Sequence, residues 1–189
     1  AEVTPHHMFL SGDQFPHDDG SAKMLPPLRS PYDSGMLSQA LCKHCAIDCV
    51  VSDHAPHTSE EKTVPFLEAS SGIPGLETTL PLMLTEVFEG RLSWVDYLRC
   101  CCSGPTTILG IPNKGILARD FDADIILVRR EEWWISGSNF FSKAKITPFE
   151  GRRVLARPVT TIVGGVIVYN EGRFMVGPGI AGRVPIRRE

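Results

Sequence analysis

Two short stretches hold most of the residues whose types could do acid, base or metal chemistry. The first is Ser52-Asp53-His54-Ala55-Pro56-His57, directly after the apolar run Ile47-Asp48-Cys49-Val50-Val51. Such a run reads as a buried strand, and polar residues at the carboxyl end of a parallel strand are where α/β barrels keep their chemistry. Asp53 therefore has the type and place to ligate a divalent metal and to relay a proton from metal-bound water. The same carboxylate could instead cap a turn at the strand end by accepting backbone N–H groups. His57, four residues on, can donate to an anionic substrate, take part in acid–base work, or stand as a loop histidine bonded to solvent. The second stretch is Ser70-Ser71-Gly72-Ile73-Pro74-Gly75, whose glycines let backbone approach a ligand or make a tight turn.

Other polar clusters are weaker candidates. His6 and His7 are adjacent in a segment, Ala1 to Leu10, that reads as a strand opening into a loop. A strand sends neighbours to opposite faces, so the pair is expected to pack rather than to share an ion. His17 with Asp18 and Asp19 reads as a solvated cluster. Cys42-Lys43-His44-Cys45 with Cys49 invites a zinc reading, but structural zinc usually takes two well-separated ligand pairs. The competing reading is a helix end and a buried strand carrying small apolar thiols. Cys100, Cys101 and Cys102 are consecutive, which suits a reducing compartment better than a disulfide scaffold.

These residues must be held by an ordinary globular chain. Its 189 residues are 42% apolar and 22% charged, with 17 Gly and 15 Pro. The net charge of -3, without a basic block, offers nucleic acid no electrostatic footprint. No apolar run approaches the roughly 20 residues that cross a bilayer, and no signal segment opens the chain, so no membrane partner is expected and a cytoplasmic location is. The opening Ala1-Glu2-Val3 lacks an initiator methionine and is expected to lie inside something longer. Ser11 to Ser34 reads as an irregular excursion. A helix capped by Asp33 or Ser34 is predicted to about Lys43, a loop across Glu60, Glu61 and Lys62, and helices at Leu76–Glu89 and Ser93–Cys102, with Ser93 as N-cap and Gly90 as a stop. From about Ile111 the pattern turns to strands, at Ala123–Val128, Val159–Val163 and Val166–Tyr169, with a turn at Asn170-Glu171-Gly172. The expected boundary near Pro112 divides the chain into 1–111 and 112–189.

In order along the chain, Glu2-Val3-Thr4-Pro5-His6-His7, Lys23-Met24-Leu25-Pro26-Pro27-Leu28-Arg29-Ser30, Ser52-Asp53-His54-Ala55-Pro56-His57 and Gly72-Ile73-Pro74-Gly75-Leu76-Glu77-Thr78 resemble the dihydroorotases of the amidohydrolase superfamily. Lys114-Gly115-Ile116, Asp122-Ala123-Asp124-Ile125 and Thr147-Pro148-Phe149-Glu150-Gly151 resemble that family's C-terminal region. Asp-Ala-Asp is shared across the superfamily, whereas Asp-His-Ala-Pro-His together with Pro-Pro-Leu-Arg is more specific. The resemblance implies an α/β fold, the C-terminal part of a distorted (β/α)8 TIM barrel in 1–111 and part of a small β-sandwich in 112–189.

The implied activity is the reversible hydrolysis of dihydroorotate to N-carbamoyl-aspartate in pyrimidine biosynthesis, with one or two zinc ions. By the family pattern, Asp53 would ligate the more exposed metal and act as general base, taking a proton during attack on the ring amide and passing it to the departing nitrogen. His57 would hold the substrate carboxylate, and the backbone of Ser71 and Gly72 would contact the ring. The family's other ligands, a His-x-His pair, a bridging carbamylated lysine or aspartate and two further histidines, precede Glu2, so most of the metal site is expected outside this chain. His6 and His7 are not carried over as ligands. Leu25 stands where the family often has an asparagine that bonds substrate, and leucine offers no side-chain hydrogen bond. Another cyclic-amide hydrolase, of hydantoinase or allantoinase type, and a non-catalytic scaffold beside an aspartate carbamoyltransferase are the alternatives. Two parallel strands alone would leave open edges, so the expected partner is the missing N-terminal half or a second copy.

Overall fold

A computed structural model describes residues 1–42 and 46–179, Cys42 by its backbone alone. The chain is α/β. Strand β1 (Glu2–Val3) pairs in parallel with β2 (Cys49–Val50), Val3 opposite Val50. Parallel neighbours need a crossover. It is built from helix α1 (Pro5–Phe9), two 3-10 turns at Gly12–Gln14 and Gly20–Ala22, and α2 (Pro31–Cys42).

Three helical starts differ from the sequence reading, each for a local reason. Pro5–Phe9 is helical, not a strand end, because extended Thr4 caps it by accepting the His7 N–H and Pro5 supplies a first-turn residue that needs no N–H partner. His6 and His7 thus sit side by side on a helical turn, their ring centroids 4.5 Å apart. α2 begins at Pro31, ahead of Asp33 and Ser34. Ser30 caps it: the Asp33 N–H donates to Ser30 Oγ at 3.3 Å and the Ser30 N–H donates to Asp33 Oδ2 at 3.1 Å. The loop expected across Glu60, Glu61 and Lys62 is helix α3 (Ser59–Lys62), closed by a capping box between Thr58 and Glu61.

After α3 come α4 (Leu76–Phe88), which Gly90 ends at φ +76° as expected, and α5 (Trp94–Leu98), capped by Ser93. The helix expected to run on to Cys102 changes geometry instead. Arg99–Ser103 forms a π turn and α6 (Gly104–Ile108) follows. Pro105 has no amide hydrogen to continue the ladder, and the widened turn lies immediately before it.

The strands β3 (Ile125–Trp134), β4 (Arg153–Val163), β5 (Val166–Asn170) and β6 (Arg173–Phe174) form an antiparallel sheet in sequence order. β3 and β4 run further than apolar runs alone indicate. The charged stretch Arg129–Glu132 is part of β3, where Glu132 pairs with Arg153 at 2.5 Å and Glu131 with Arg157 at 3.2 Å across to β4. Glu171 and Gly172, both at positive φ, make the two-residue turn between β5 and β6.

Helix α4 joins the two regions. Its Met83, Leu84 and Val87 pack with Val3, Val50, Leu92, Cys100 and Ala156. Leu82 joins a second cluster with Met24, Ile73, Ile135, Phe149 and Val154. The amide of Leu155 donates to Thr85 Oγ1 at 2.9 Å, tying β4 to the helix. The parallel strands and the antiparallel sheet therefore share their buried side chains.

Candidate active site

Asp53 lies three residues past β2 at φ +44°, a left-handed conformation that aspartate tolerates better than most residues. Its side chain is 46% exposed, with Oδ2 3.9 Å from His6 Nε2. His6 is its opposite in setting. The ring is buried and its Nε2 has no hydrogen-bond partner among the described residues. Burial, reinforced by neighbouring His7, pushes the imidazole down to about 4, so His6 is neutral at pH 7. His7 is fully engaged elsewhere, with Nδ1 2.6 Å from Thr4 Oγ1 and Nε2 2.8 Å from the Pro26 carbonyl oxygen. Donation by the Thr4 hydroxyl to Nδ1 and by Nε2–H to Pro26 satisfies a neutral ring.

The second stretch folds against the first. His54 forms a parallel bridge with Ile73, and the Ala55 N–H donates to the Ile73 carbonyl at 3.0 Å. Gly72 donates its N–H to the Lys23 carbonyl at 3.0 Å. It needs to be glycine: at φ +131° a Cβ would stand 2.6 Å from both the Cβ and the carbonyl oxygen of Ala55. His57 Nε2 is 3.0 Å from the carbonyl oxygen of Ser71, and its Nδ1 is 3.5 Å from Glu61 Oε2. Asp53, His57, Ser71 and Gly72 thus come from two loops laced together at the carboxyl end of β2.

One residue here carried no signal of its own in the sequence. His54 Nδ1 accepts the N–H groups of Gly75 and Leu76 at 3.1 and 3.3 Å, capping α4 from a distant loop. Gly75 has no side chain to do so, which is the only sequence hint that a cap must come from elsewhere. Asp19 caps the Gly20–Ala22 turn by accepting the Ser21 N–H, and Asp18 accepts the Phe66 N–H, so both are bonded to backbone rather than merely solvated. Cys49, Cys101 and Cys102 are free thiols among the described residues, and burial raises the Cys101 thiol. The zinc alternative at Cys42–Cys45 falls on residues 43–45 and on the Cys42 side chain, outside those described.

No family model matches the chain. Individual proteins do. It is 41% identical over 171 residues to the dihydroorotase of Wolbachia sp. subsp. Drosophila simulans (strain wRi), covering 90% of this chain and 38% of that protein. It is 41% identical over 177 residues to the dihydroorotase of Staphylococcus epidermidis (strain ATCC 12228 / FDA PCI 1200), covering 90% of this chain and 40% of that one. Over nine tenths of its length the chain is similar to dihydroorotases. Among solved structures, a D-hydantoinase superposes with a TM-score of 0.87 at 26% identity, over 95% of this chain and 41% of the other. The L-hydantoinase (dihydropyrimidinase) from Arthrobacter aurescens gives 0.83 at 33% identity, over 93% and 40%. The chain spans about two fifths of the length of the dihydroorotases it matches.

The dihydroorotase resemblance implies zinc, and the residues present fit a share of such a centre. Among the described residues, no group of three or more His, Cys, Asp or Glu could hold a metal ion. A half-exposed carboxylate beside a buried, neutral imidazole is suited to lend one oxygen ligand.

Proposed function

We propose that this chain is the C-terminal portion of a zinc-dependent dihydroorotase, contributing the general base and the loop that seats the substrate. The observation that carries this reading is the lacing of Asp53 and His57 to Ser71 and Gly72 through the His54 and Ile73 bridge, in a chain 41% identical to dihydroorotases. The β1–β2 pair is read as the last two strands of a distorted (β/α)8 barrel, with 112–189 as part of a β-sandwich. The remaining barrel strands and metal ligands belong to a longer parent, for which a cytoplasmic location and a step of pyrimidine synthesis are part of the same proposal.

Ring opening of dihydroorotate adds water across the amide: oxygen bonds to the carbonyl carbon, the carbon–nitrogen bond breaks, and a proton reaches the departing nitrogen. Zinc, when bound, lowers the pKa of water toward ~7 and polarises the carbonyl. Asp53 would be one of its ligands and the proton carrier, accepting from the attacking oxygen and delivering to nitrogen; neutral His6 behind it offers no competing charge. His57 presents Nε2–H toward the Ser71 carbonyl, and the substrate carboxylate would compete for that donor. The Ser71 and Gly72 backbone would pair with the polar edge of the ring.

The test is to express the complete parent protein with zinc and assay dihydroorotate hydrolysis and its reverse. Dihydroorotate turnover that is lost on zinc removal supports the reading; a zinc-replete parent that leaves dihydroorotate untouched refutes it. A hydantoinase-type specificity is the second reading. It is favoured by Leu25, 70% exposed where an asparagine contact is common in the family, and is checked by assaying hydantoin in parallel.

A further inference from the structure

Among the described residues, Lys62 is a buried cation held by backbone carbonyls. It lies in α3, only 4% exposed, with Nζ donating to the carbonyl oxygens of Ser70 at 2.8 Å and Lys23 at 3.0 Å. Among the described residues no carboxylate lies within ion-pair distance of it. Its charged surroundings are Lys23 and Asp19, which act on it in opposite directions, and desolvation is the larger influence, lowering its pKa. An ammonium buried without a carboxylate is costly, and methionine or leucine would fill the same space without that cost. What an apolar side chain could not do is hold two carbonyls.

Those carbonyls flank the substrate loop. Lys23 O also accepts the Gly72 N–H at 3.0 Å, so its two lone pairs are shared between Lys62 and the loop glycine. Ser70 O precedes Ser71, and the Ser70 N–H returns to the Glu61 carbonyl at 3.2 Å. The packing admits little slack: a Cβ on Gly20 would lie 2.8 Å from the Lys62 carbonyl oxygen and 2.5 Å from that of Val64. One ammonium therefore joins three segments, the approach to Leu25, α3, and the loop carrying Ser71 and Gly72.

We propose that Lys62 is a positioning residue for substrate binding, fixing the Ser71–Gly72 backbone against the Lys23–Leu25 segment through its two carbonyl contacts. The proposal rests on the dihydroorotase reading for the identity of the ligand but not for the contacts themselves. In the full-length parent, Lys62→Met is expected to raise KM for dihydroorotate about tenfold while kcat stays within about threefold, since Asp53 is untouched. Lys62→Gln, shorter and able to reach one carbonyl at a time, is expected to give a rise of about threefold. Amide hydrogen exchange of the same proteins is expected to quicken in peptides covering residues 20–25 and 68–74 and nowhere else. Unchanged KM and unchanged exchange in either folded variant overturn the proposal, as does a global loss of protection with KM unmoved. A wild-type parent inactive on dihydroorotate would defeat the functional reading instead, and the exchange measurement would still decide whether Lys62 fixes the loop.

Discussion

Asp53 combines a half-exposed carboxylate with a left-handed backbone, and both follow from its place just beyond a two-residue strand. Replacing it by asparagine keeps the shape and the tolerance of positive φ but removes the proton acceptor. In the full-length parent, Asp53→Asn is expected to reduce kcat at least 10^3-fold with little change in melting temperature, as checked by steady-state kinetics and thermal unfolding. His6 makes a prediction of opposite kind, about stability rather than rate. Its folded pKa of about 4 lies below the ordinary 6.5, so between these values the unfolded chain binds the extra proton. Its contribution is fully present above pH 6.5 and is lost as pH falls toward 4, a change of about 3 kcal/mol. Denaturant titrations from pH 7 to 4 should show that loss, and a folded His6→Phe variant should lack that part of it. Leu25 belongs to the same scale. Leu25→Asn in the parent is expected to lower KM for dihydroorotate several-fold and leave hydantoin turnover unchanged; equal effects on both would show that residue 25 does not discriminate between them.

At the scale of elements, α4 is positioned by groups outside itself. His54 caps its first amides, Glu77 in its first turn accepts the N–H groups of Phe141 and Ser142 at 2.8 Å each, and Thr85 takes the amide of Leu155. Gly75 lets this happen, since a Cβ there would overlap the Ser52 carbonyl oxygen. Gly75→Ala is expected to cost about 2 kcal/mol, measured by chemical denaturation, and to disturb Asp53 through Ser52. The helix itself was legible from spacing, and so was its stop at Gly90. Its long-range cap was not, because capping by a side chain 21 residues away leaves no local pattern. The same limit explains α1: a proline after threonine marks a helix start, but five residues are too few for periodicity to separate helix from strand.

Across the whole molecule, much apolar surface stays uncovered. Trp94, Val95 and Leu98 on α5 are at least half exposed, as are Ile108 and Leu109 near the end of α6 and Leu117 beyond it. The β1–β2 pair is a two-stranded parallel sheet with free edges among the described residues. Parallel sheets are ordinarily buried on both faces. The chain on its own is therefore expected to self-associate, and co-expression with the N-terminal part of its parent should suppress this; a monodisperse monomer in sedimentation velocity would contradict the expectation.

Residue types and the order of motifs marked an α/β chain that resembles the dihydroorotases and singled out the stretches proposed to bear its chemistry, because residue type and local spacing are properties of the chain itself. They also placed α2, α4, α5 and the hairpin turn, whose signals lie within a few residues of one another. Only the tertiary structure decided which side chains meet: that His6 faces Asp53 while His7 holds Pro26, that His54 caps α4, and that Lys62 joins the carbonyls of Lys23 and Ser70. Contacts such as that between Lys62 and Lys23, 39 residues apart, arise from packing, and packing is fixed by how whole elements bury their apolar faces rather than by any neighbour in sequence.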